Sequence, residues 1–356
     1  MSAERIKVLH CAGSLGIGGT EKVIQTFAET LDPERFEVAV HSPVDGVRAA
    51  MLREKGIPTY IGMDLFRTLE RFRPHIAHIH RAGWTEPGTL KPFRTAGTPA
   101  VVETNVFGRL DPSPEARVIS RTLFVSRFCL ERFHRLNGIR RNPARYDYLY
   151  NPVDTDLFES AARADRDFSR PAAARISRPD PGKWSAMALT FLPALVERIP
   201  DFRYHVIGAI DEARDFVHKH GLDTNVIFHA PVETDREIAS FLDQSSVLAH
   251  ANDTGESFGL VIAEAMACGL PVVTHPAEGE RDNAQLELVD DGVTGIIAKN
   301  AAEYGAALEW LFANPESARA MGQAGREKAV RLYRKQIVTR RLEAVYEEVL
   351  ASVEEA

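Results

Sequence analysis

Two glutamates stand beside and inside a run of residues that is otherwise almost wholly apolar, GESFGLVIAEAMACGLPVV at 255–273. Glu256 precedes the run, and Glu264 lies within it, next to Ala265 and Met266. An ionised carboxylate in such surroundings is costly unless several hydrogen-bond donors reach it. The paired hydroxyls of a ribose would be such donors. An internal salt bridge is the alternative for Glu264, and stabilisation by a helix dipole is the alternative for Glu256.

The same run predicts a helix from Phe258 to Cys268, which Gly269 ends. A helix that begins there leaves its first backbone amides without partners in the helix, and such amides bind anions. The amides concerned are those of Phe258, Gly259 and Leu260. The segment therefore indicates a site for an anionic ligand with hydroxyl groups.

Three cations follow a short strand candidate in the segment ARISRPDPGKW, at Arg175, Arg178 and Lys183. Fixed cations on a loop at the carboxyl end of a parallel sheet are suited to hold a diphosphate. Solvated surface charge is the alternative interpretation.

A glycine-rich turn, AGSLGIGGTEKVI, stands between the first strand candidate and a helix. Its glycines let the backbone approach a phosphate at the helix N-terminus. Read from Gly16, the pattern GxGxxG of dinucleotide-binding domains is broken by Glu21, which occupies the place of the third glycine. The turn therefore favours phosphate binding over NAD binding, and a purely structural tight turn is equally consistent with it.

Short apolar runs alternate with segments of helical period along the chain. The runs are continuously apolar, which is typical of strands buried on both faces of a parallel sheet. In the first half they are RIKVLHCAG, FEVAVHSP, PTYIGM, HIAHIHRAG, PAVVETN, RTLFVSR and RYDYLYNP, and in the second half AAARIS, FRYHVIGA, NVIFHAP, SSVLAHAN, PVVTHP and TGIIAK. The pattern predicts an α/β protein with two Rossmann-like domains.

We place the domain boundary near Val153, in a segment whose turn residues and mixed charges are typical of a linker, NPVDTDLFESAARADRDFSRP. Residues 1–153 then form the first domain and residues 154–335 the second. The chain has a helical pattern after residue 302, and residues 336–356 form its last helix.

The composition is that of a globular protein, with 44% hydrophobic and 26% charged residues among 356. No apolar run of about eighteen residues, the length that spans a bilayer, occurs, and no signal peptide is evident, so we expect a cytoplasmic protein. Three distant cysteines without CxxC spacing favour reduced thiols over a disulfide framework or a zinc site.

The net charge of −7 is unevenly divided. Residues 1–153 hold 22 Lys and Arg against 16 Asp and Glu, whereas residues 154–356 hold 21 against 34. The densest basic segment, RFCLERFHRLNGIRRNPAR at 127–145, carries six arginines and one glutamate. It favours a solvated helix face, and an anionic acceptor or a membrane surface is the alternative partner.

Together, the spacing of Glu256 and Glu264 and the following AMACGLPVV resemble the E-x7-E motif of retaining glycosyltransferase family 4. GIGGTE, FVSRF, NPVD and the arginine and lysine loop resemble further motifs of that family, in the same order. The resemblance implies the GT-B fold, in which two Rossmann-like domains with parallel sheets face a central cleft. It implies that the first domain binds the acceptor, that the second binds a nucleotide sugar, and that the last helix crosses back to the first.

Carried over to this sequence, the resemblance gives Glu264 the ribose hydroxyls and Glu256 the hydroxyls of the donor sugar. It gives Arg175 and Lys183 the diphosphate, with Arg178 as the substitute for Arg175. The remaining nucleotide-sugar contacts fall on the amides of Phe258, Gly259 and Leu260, on the base-binding backbone near Val232, and on Gly18 and Gly19 of the first domain.

The sequence departs from the family pattern at several positions. Asn105 stands where many members have a histidine after the fifth strand, and it can bond a sugar hydroxyl but cannot act as a base. His80 lies near the end of another strand and is a second candidate for catalysis, with a structural histidine as the alternative. Glu280, Asp282 and Asn283 occupy a loop whose role stays open.

We therefore predict a retaining glycosyltransferase that uses a nucleotide sugar, with UDP-sugars favoured over GDP-sugars, and a glycan, lipid-linked or small-molecule acceptor. The leaving phosphate oxygen itself would accept the acceptor's proton, so that no metal or cofactor is required. We expect no nucleic-acid partner, and any membrane contact would be peripheral, at the inner face. The alternatives are a GT-B epimerase or phosphorylase and a nucleotide-binding Rossmann protein without transferase activity.

Overall fold

Two parallel sheets dominate the protein. The computed structural model describes residues 4–163 and 165–355, and over these residues the chain forms thirteen strands. In chain order, β1 to β13 are Ile6–Cys11, Phe36–Ser42, Thr59–Ile61, Ile76–Arg81, Ala100–Asn105, Arg121–Phe124, Tyr146–Tyr148, Ala172–Ile176, Arg203–Ile207, Val226–His229, Val247–Ala249, Val272–Thr274 and Gly295–Ile297. Every strand candidate of the sequence is found among them, and the two Rossmann-like domains are confirmed.

Helices connect the strands and cover the sheets. Within the described ranges, α1 to α15 are Gly19–Thr30, Val47–Glu54, Leu65–Phe72, Pro87–Thr95, Arg127–Asn137, Thr155–Ala161, Met187–Thr190, Leu192–Arg198, Asp211–Lys219, Asp235–Leu242, Leu260–Ala267, Gln285–Leu288, Ala301–Ala313, Pro315–Leu332 and Lys335–Glu354. None of the helices in this part of the chain combines the length and apolarity that a membrane span requires.

The first compact unit comprises residues 1–152 and 335–356. Its seven strands lie in the order β3-β2-β1-β4-β5-β6-β7, and all of their pairings are parallel. Leu9 and Val101 belong to one buried cluster, whereas Val40 packs with Ile24 of α1 in another. Because the strands supply apolar side chains to both clusters, they appear in the sequence as continuous apolar runs.

The second compact unit comprises residues 153–334. Its six strands lie in the order β10-β9-β8-β11-β12-β13 and are also parallel. Its core joins the strand residues Tyr204 and Val273 to Phe191 and Tyr304 from the helical layer. The units therefore begin and end within one residue of the domain limits assigned from the sequence.

Part of the segment interpreted as a linker forms a helix that packs in the second unit, so the linker interpretation is wrong there. Thr155–Ala161 forms α6, and Phe158 in it is completely buried. Arg166 donates hydrogen bonds to the carbonyl of Cys268, at 2.7 Å, and to Asp243, at 2.9 Å. Arg166, one of the charged residues that suggested a linker, thus takes part in interactions within the second unit.

The last helix, α15, is part of the first unit. The hydroxyl of Tyr346 lies 2.6 Å from Nδ1 of His78 in β4, and both side chains are completely buried. Glu343 accepts hydrogen bonds from the amide of Asp32, at 2.9 Å, and from Arg35, at 3.0 Å. These contacts tie α15 to β4 and to the turn before β2.

We expect Tyr346→Phe to destabilise the first unit, because it leaves the buried Nδ1 of His78 without its partner. An unsatisfied buried polar group costs about 1–3 kcal/mol. Calorimetry should record a lower unfolding temperature, and hydrogen exchange should be faster in residues 335–354. Tyr148→Phe is the control, since Tyr148 is half-buried. Equal stability of wild type and Tyr346→Phe would contradict the assigned contact.

Candidate functional site

Polar residues of the second unit converge where two neighbouring strands end. From β8 the chain continues to β9 and β10 on one side, and then returns to β11 on the other side of β8. Open α/β sheets bind ligands at the carboxyl ends of their strands, where the strand order reverses in this way. Lys183 lies in the loop after β8, and Glu256 lies in the loop after β11.

Lys183 and Glu256 form an ion pair, with 3.0 Å between Nζ and Oε2. The second carboxylate oxygen of Glu256 accepts a hydrogen bond from Nδ2 of Asn252 at 2.7 Å, and it lies 3.2 Å from Nε2 of His250. His250 is fixed in turn by the hydroxyl of Thr274, 3.0 Å from its Nδ1. Both carboxylate oxygens of Glu256 therefore have side-chain partners. One partner lies in the loop after β8, and two follow β11 directly.

These partners keep Glu256 ionised. Burial alone would raise the pKa of its carboxyl, but the charge of Lys183 and the hydrogen bond and charge of His250 outweigh burial and lower the pKa from 4.5 to about 2. At neutral pH the group is an acceptor only, so it is suited to bind hydroxyl donors of a ligand. It is 20% exposed, which leaves part of the group accessible to a ligand.

The backbone of Glu256 is held by the start of α12, at Ala284 and Gln285. The amide of Ala284 donates to the carbonyl of Glu256 at 2.8 Å. Oε1 of Gln285 accepts from the amide of Glu256 at 2.9 Å, while its Nε2 donates to the carbonyl of His275 at 3.1 Å. Gln285 is completely buried. It therefore acts as a positioning residue for Glu256.

A second set of contacts joins the loop of Glu256 to the loop before α12. Ser257 donates to the carboxylate of Asp282 at 2.7 Å. Gly255 has φ 67°, and a Cβ there would lie 1.5 Å from the carbonyl oxygen of Asp282, so only glycine permits this approach. Asn283 accepts a hydrogen bond from the amide of Ala277 at 2.7 Å. Asp282 and Asn283, whose roles the sequence left open, thus shape the loop that supports Glu256.

Arg175 points into the protein and is only 2% exposed. Its guanidinium donates to the carbonyl of Ala251 at 2.8 Å and to the carbonyl of Lys183 at 2.5 Å. Its Cζ lies 4.1 Å from the centre of the Trp184 ring. In this structure Arg175 therefore fixes the backbone of the lysine loop, and a direct contact with a diphosphate stays a prediction.

The other two candidates of this unit lie on its surface. The side chain of Arg178 is 67% exposed, and the nearest carboxylate oxygen of Asp180 is 4.0 Å away. Val232 is half-buried in the loop between β10 and α10. Neither has a contact that assigns it a role, so both stay predictions.

The helix that carries Glu264 begins later than the sequence predicted. α11 starts at Leu260, because Gly259 has φ 102° and caps the helix in a left-handed conformation. The prediction that Phe258 and Gly259 belong to its first turn is therefore wrong. Glu264 lies in α11, is 2% exposed, and interacts with another group of the protein.

The glycine-rich turn lies at the carboxyl end of β1, in the first unit. α1 begins at Gly19, and Gly18 is its N-cap residue. Glu21 lies in the first turn and accepts a hydrogen bond from Ser14 at 2.8 Å. A carboxylate thus already occupies this helix end, and phosphate binding by Gly18 and Gly19 stays a prediction.

Asn105 ends β5 and is 2% exposed. Its Nδ2 donates to the carbonyl of Arg109 at 2.8 Å, and its Oδ1 accepts from the amide of Arg109 at 3.2 Å. Both polar atoms of the side chain therefore close the turn after β5. Their use in binding a sugar hydroxyl is not evident in this conformation.

His80 lies in a buried cluster and not at an exposed strand end. It is 5% exposed, and its Nε2 lies 3.0 Å from Nδ1 of His10. Burial and then His10 lower the pKa of His80 well below its ordinary value. His78 completes the cluster, and its two ring nitrogens lie 2.6 Å from the hydroxyl of Tyr346 and 2.8 Å from that of Thr104. Because both nitrogens of His78 already have partners, the cluster does not suit a metal ion as it stands.

Sequence reasoning missed His250, Asn252 and Gln285. A signal for the first two was present, because both polar residues directly follow an apolar strand, where the carboxyl end of a parallel sheet binds ligands. No comparable signal marks Gln285, since its role depends on a loop that folds back onto Glu256. The resulting site combines a lysine with an ionised carboxylate, and it is suited to a ligand that carries both phosphate and hydroxyl groups.

A family comparison points to the same part of the chain. The family model described as Glycosyl transferases group 1 matches residues 173–328. This range contains Lys183, Glu256 and Glu264, together with the loops that hold them.

Two curated relatives are mannosyltransferases. The GDP-mannose-dependent alpha-(1-6)-phosphatidylinositol monomannoside mannosyltransferase of Mycolicibacterium smegmatis is 28% identical over 71% of this chain and 64% of the relative. The phosphatidyl-myo-inositol mannosyltransferase of Mycobacterium tuberculosis strain H37Rv is 31% identical over 57% of this chain and 54% of the relative. The chain thus spans less than two thirds of the length of either relative.

Among solved structures, the Anabaena protein Alr3699/HepE in complex with UDP-glucose aligns with a TM-score of 0.76, at 19% identity, over 98% of this chain and 100% of that one. A likeness at this identity concerns the fold, which is the GT-B fold that the resemblance implied. Within the second unit, residues 173–328, which carry the site, are thus similar to the family Glycosyl transferases group 1.

Proposed function

We propose that the protein is a retaining glycosyltransferase that transfers a hexose from a nucleoside diphosphate sugar to a hydroxyl group of its acceptor. The observation that carries the proposal is the ion pair of Lys183 with Glu256, at the strand reversal of a domain similar to this family. Glu264 lies buried in the helix that follows. The cation is suited to bind the diphosphate of a donor molecule, and the two carboxylates are suited to bind its hydroxyl groups.

On donor binding, Lys183 contacts the diphosphate and Glu256 accepts hydrogen bonds from the hydroxyls of the sugar. The bond between the anomeric carbon and the leaving phosphate oxygen then breaks, and the acceptor oxygen forms a bond to that carbon on the same face. The acceptor's proton passes to the leaving phosphate oxygen. Because negative charge grows on the diphosphate, a cation fixed beside it stabilises the transition state more than the ground state.

Glu264 binds the ribose hydroxyls in this proposal. A carboxylate that is 2% exposed accepts such hydrogen bonds without competition from bulk water. Arg175 supports the reaction indirectly, because it donates to the carbonyl of Lys183 and so fixes the loop that presents the cation. Gln285 has the corresponding role for Glu256.

The donor is a GDP- or UDP-sugar. The name of the Mycolicibacterium smegmatis relative specifies GDP-mannose, and the Anabaena protein was solved with UDP-glucose. The relative is the more similar in sequence, at 28% against 19%, and this difference favours GDP-mannose over the UDP-sugars that the sequence alone favoured. A panel of both classes, with released nucleotide and transferred sugar measured separately, distinguishes a transferase from an epimerase or a hydrolase.

The acceptor is a glycan, a lipid-linked saccharide or a small polyol. Both mycobacterial relatives are named for phosphatidylinositol acceptors, which supports a lipid headgroup as the first acceptor to test. Peripheral contact with a membrane through the basic first unit would serve such an acceptor.

We expect Lys183→Ala and Glu264→Gln each to reduce sugar transfer by a factor of about 100 or more, since each removes a preorganised contact to the donor. Transfer is measured at saturating acceptor with the preferred donor of the panel. Lys219→Ala, at an exposed lysine of α9, is the matched control and should retain wild-type turnover. Turnover unchanged in Lys183→Ala and Glu264→Gln would refute the proposed function.

The depressed pKa of Glu256 makes part of the protein's stability dependent on pH. Its pKa is lower in the folded protein, about 2 against 4.5, so ionised Glu256 stabilises the fold above about pH 4.5, by roughly 3 kcal/mol. This contribution is lost as the pH falls towards 2. We therefore expect the difference in unfolding temperature between wild type and Glu256→Gln to narrow between about pH 6 and about pH 3. A difference independent of pH would contradict the assigned pKa.

A further inference from the structure

An aromatic ring and a cation meet on the first unit, at loops that the donor site does not use. Trp84 follows β4 and Arg109 follows β5, and these two strands are neighbours. The strand order of this sheet reverses between β1 and β4. The pair therefore lies at the carboxyl ends of strands beside the reversal, which is where open α/β sheets bind ligands.

The two side chains are stacked and accessible. Cζ of Arg109 lies 3.7 Å from the centre of the Trp84 ring, and Trp84 is 50% exposed. Arg109 is also exposed, and among residues 4–163 and 165–355 no ion pair with it is found. The guanidinium thus carries an uncompensated charge that stacking, and not a carboxylate, holds in place.

The backbone beneath this pair is rigidly supported. Asn105 bonds both the amide and the carbonyl of Arg109. Arg81 donates to the carbonyl of Trp84 at 2.8 Å, and is itself paired with Glu103 at 2.6 Å. The backbone of each residue of the pair is therefore fixed by a buried side chain. The loops need no further ordering when a ligand binds, which lowers the entropic cost of binding.

Close approach of the two loops depends on Gly83, which has φ 88°. A Cβ at this position would lie 2.3 Å from Oδ1 of Asn105. Asn105 cannot turn away without losing its hydrogen bonds to Arg109. The contact between the loops is therefore built around a glycine next to the exposed ring.

Unlike Arg109, its buried neighbour Arg81 has carboxylate partners in the described part of the chain. Arg81 is compensated by Glu103 and by Asp111, which lies 2.9 Å away. A cavity of about 30 Å³ lies between Arg81, Asn105, Arg109 and Asp111, and it has room for one or two waters but not for a ligand. An anion would therefore be attracted to Arg109 at the surface.

We propose that Trp84 and Arg109 bind a phosphorylated sugar or polyol as the acceptor, with the phosphate on the guanidinium and a ring face against the exposed indole. Arginine is suited to the phosphate because its planar fork donates two parallel hydrogen bonds. The apolar face of a sugar or cyclitol ring packs on an indole. The phosphate belongs either to a free ester or to a lipid headgroup. The inference rests on the proposed transferase activity, since it assigns the acceptor of that reaction.

The test measures binding of myo-inositol 1-phosphate, myo-inositol and inorganic phosphate to the full chain by calorimetry, without a nucleotide. We expect the phosphate ester to bind most tightly, and we expect Arg109→Gln and Trp84→Ala each to weaken its binding by about tenfold or more. Trp84→Phe should recover part of the loss. Trp310→Ala and Arg331→Gln, at an exposed tryptophan and an exposed arginine of the second unit, are the matched controls and should bind as wild type does.

A parallel arm uses vesicles of phosphatidylcholine with and without phosphatidylinositol. Binding that requires phosphatidylinositol, Trp84 and Arg109 supports the proposal and identifies the lipid headgroup as the source, even where the soluble ester does not bind. Equal binding of both vesicles would mark a general membrane contact and overturn the proposal, as would measurable binding of inositol that is as tight as the binding of the ester.

Donor binding, followed by thermal shift with GDP-mannose and UDP-glucose, separates this proposal from the proposed function. The Trp84 and Arg109 variants should keep the wild-type shift, and in transfer assays the acceptor KM should rise more than kcat falls. If the wild-type protein binds neither donor, the proposed transferase activity and the acceptor role are refuted. Binding of the phosphate ester by Trp84 and Arg109 would then be a separate result. A fall in kcat with an unchanged acceptor KM would contradict the acceptor role.

Discussion

The ion pair between Lys183 and Glu256 is the interaction on which the candidate site depends. It joins the loop after β8 to the loop after β11, two segments distant in sequence that only the sheet brings together. Removal of one partner leaves the other charge in a partly desolvated place, at a cost greater than that of an exposed pair. The side chains of His250 and Asn252, which contact the carboxylate of Glu256, compensate this cost. A donor molecule can replace them, because its phosphate and hydroxyl groups offer the same kinds of contact.

The surrounding contacts keep this pair in one geometry. Arg175 holds the lysine loop through its backbone, and Gln285 holds the backbone of Glu256. Because Gly255 has no Cβ, the carbonyl of Asp282 in the loop before α12 can lie close to the backbone beside Glu256. A site held in this way needs little reorganisation when charge develops on a leaving group, and such preorganisation is usually the largest contribution to catalysis. The same principle applies to Trp84 and Arg109, whose loops are fixed before any ligand binds.

Much of the fold could be predicted from the sequence, because strands buried on both faces appear as continuous apolar runs. Glu264 stood out because a carboxylate in such a run requires an explanation. The inward direction of Arg175 could not be predicted, since its partners are main-chain carbonyls of other segments. The contact of His80 with His10 depends on β1 and β4 being neighbours in the sheet, which the spacing of residues along the sequence does not determine. The start of α11 depends on the φ of Gly259, which sequence spacing does not determine.

The most direct test of the central claim is a crystal structure of the protein with the donor that gives the largest thermal shift. The account predicts the ribose hydroxyls within hydrogen-bond distance of the Glu264 carboxylate, and the diphosphate beside Nζ of Lys183. It also predicts that the contact between Lys183 and Glu256 lengthens as each turns to the ligand. A nucleotide bound away from the ends of β8 and β11, with that ion pair intact, would contradict the account.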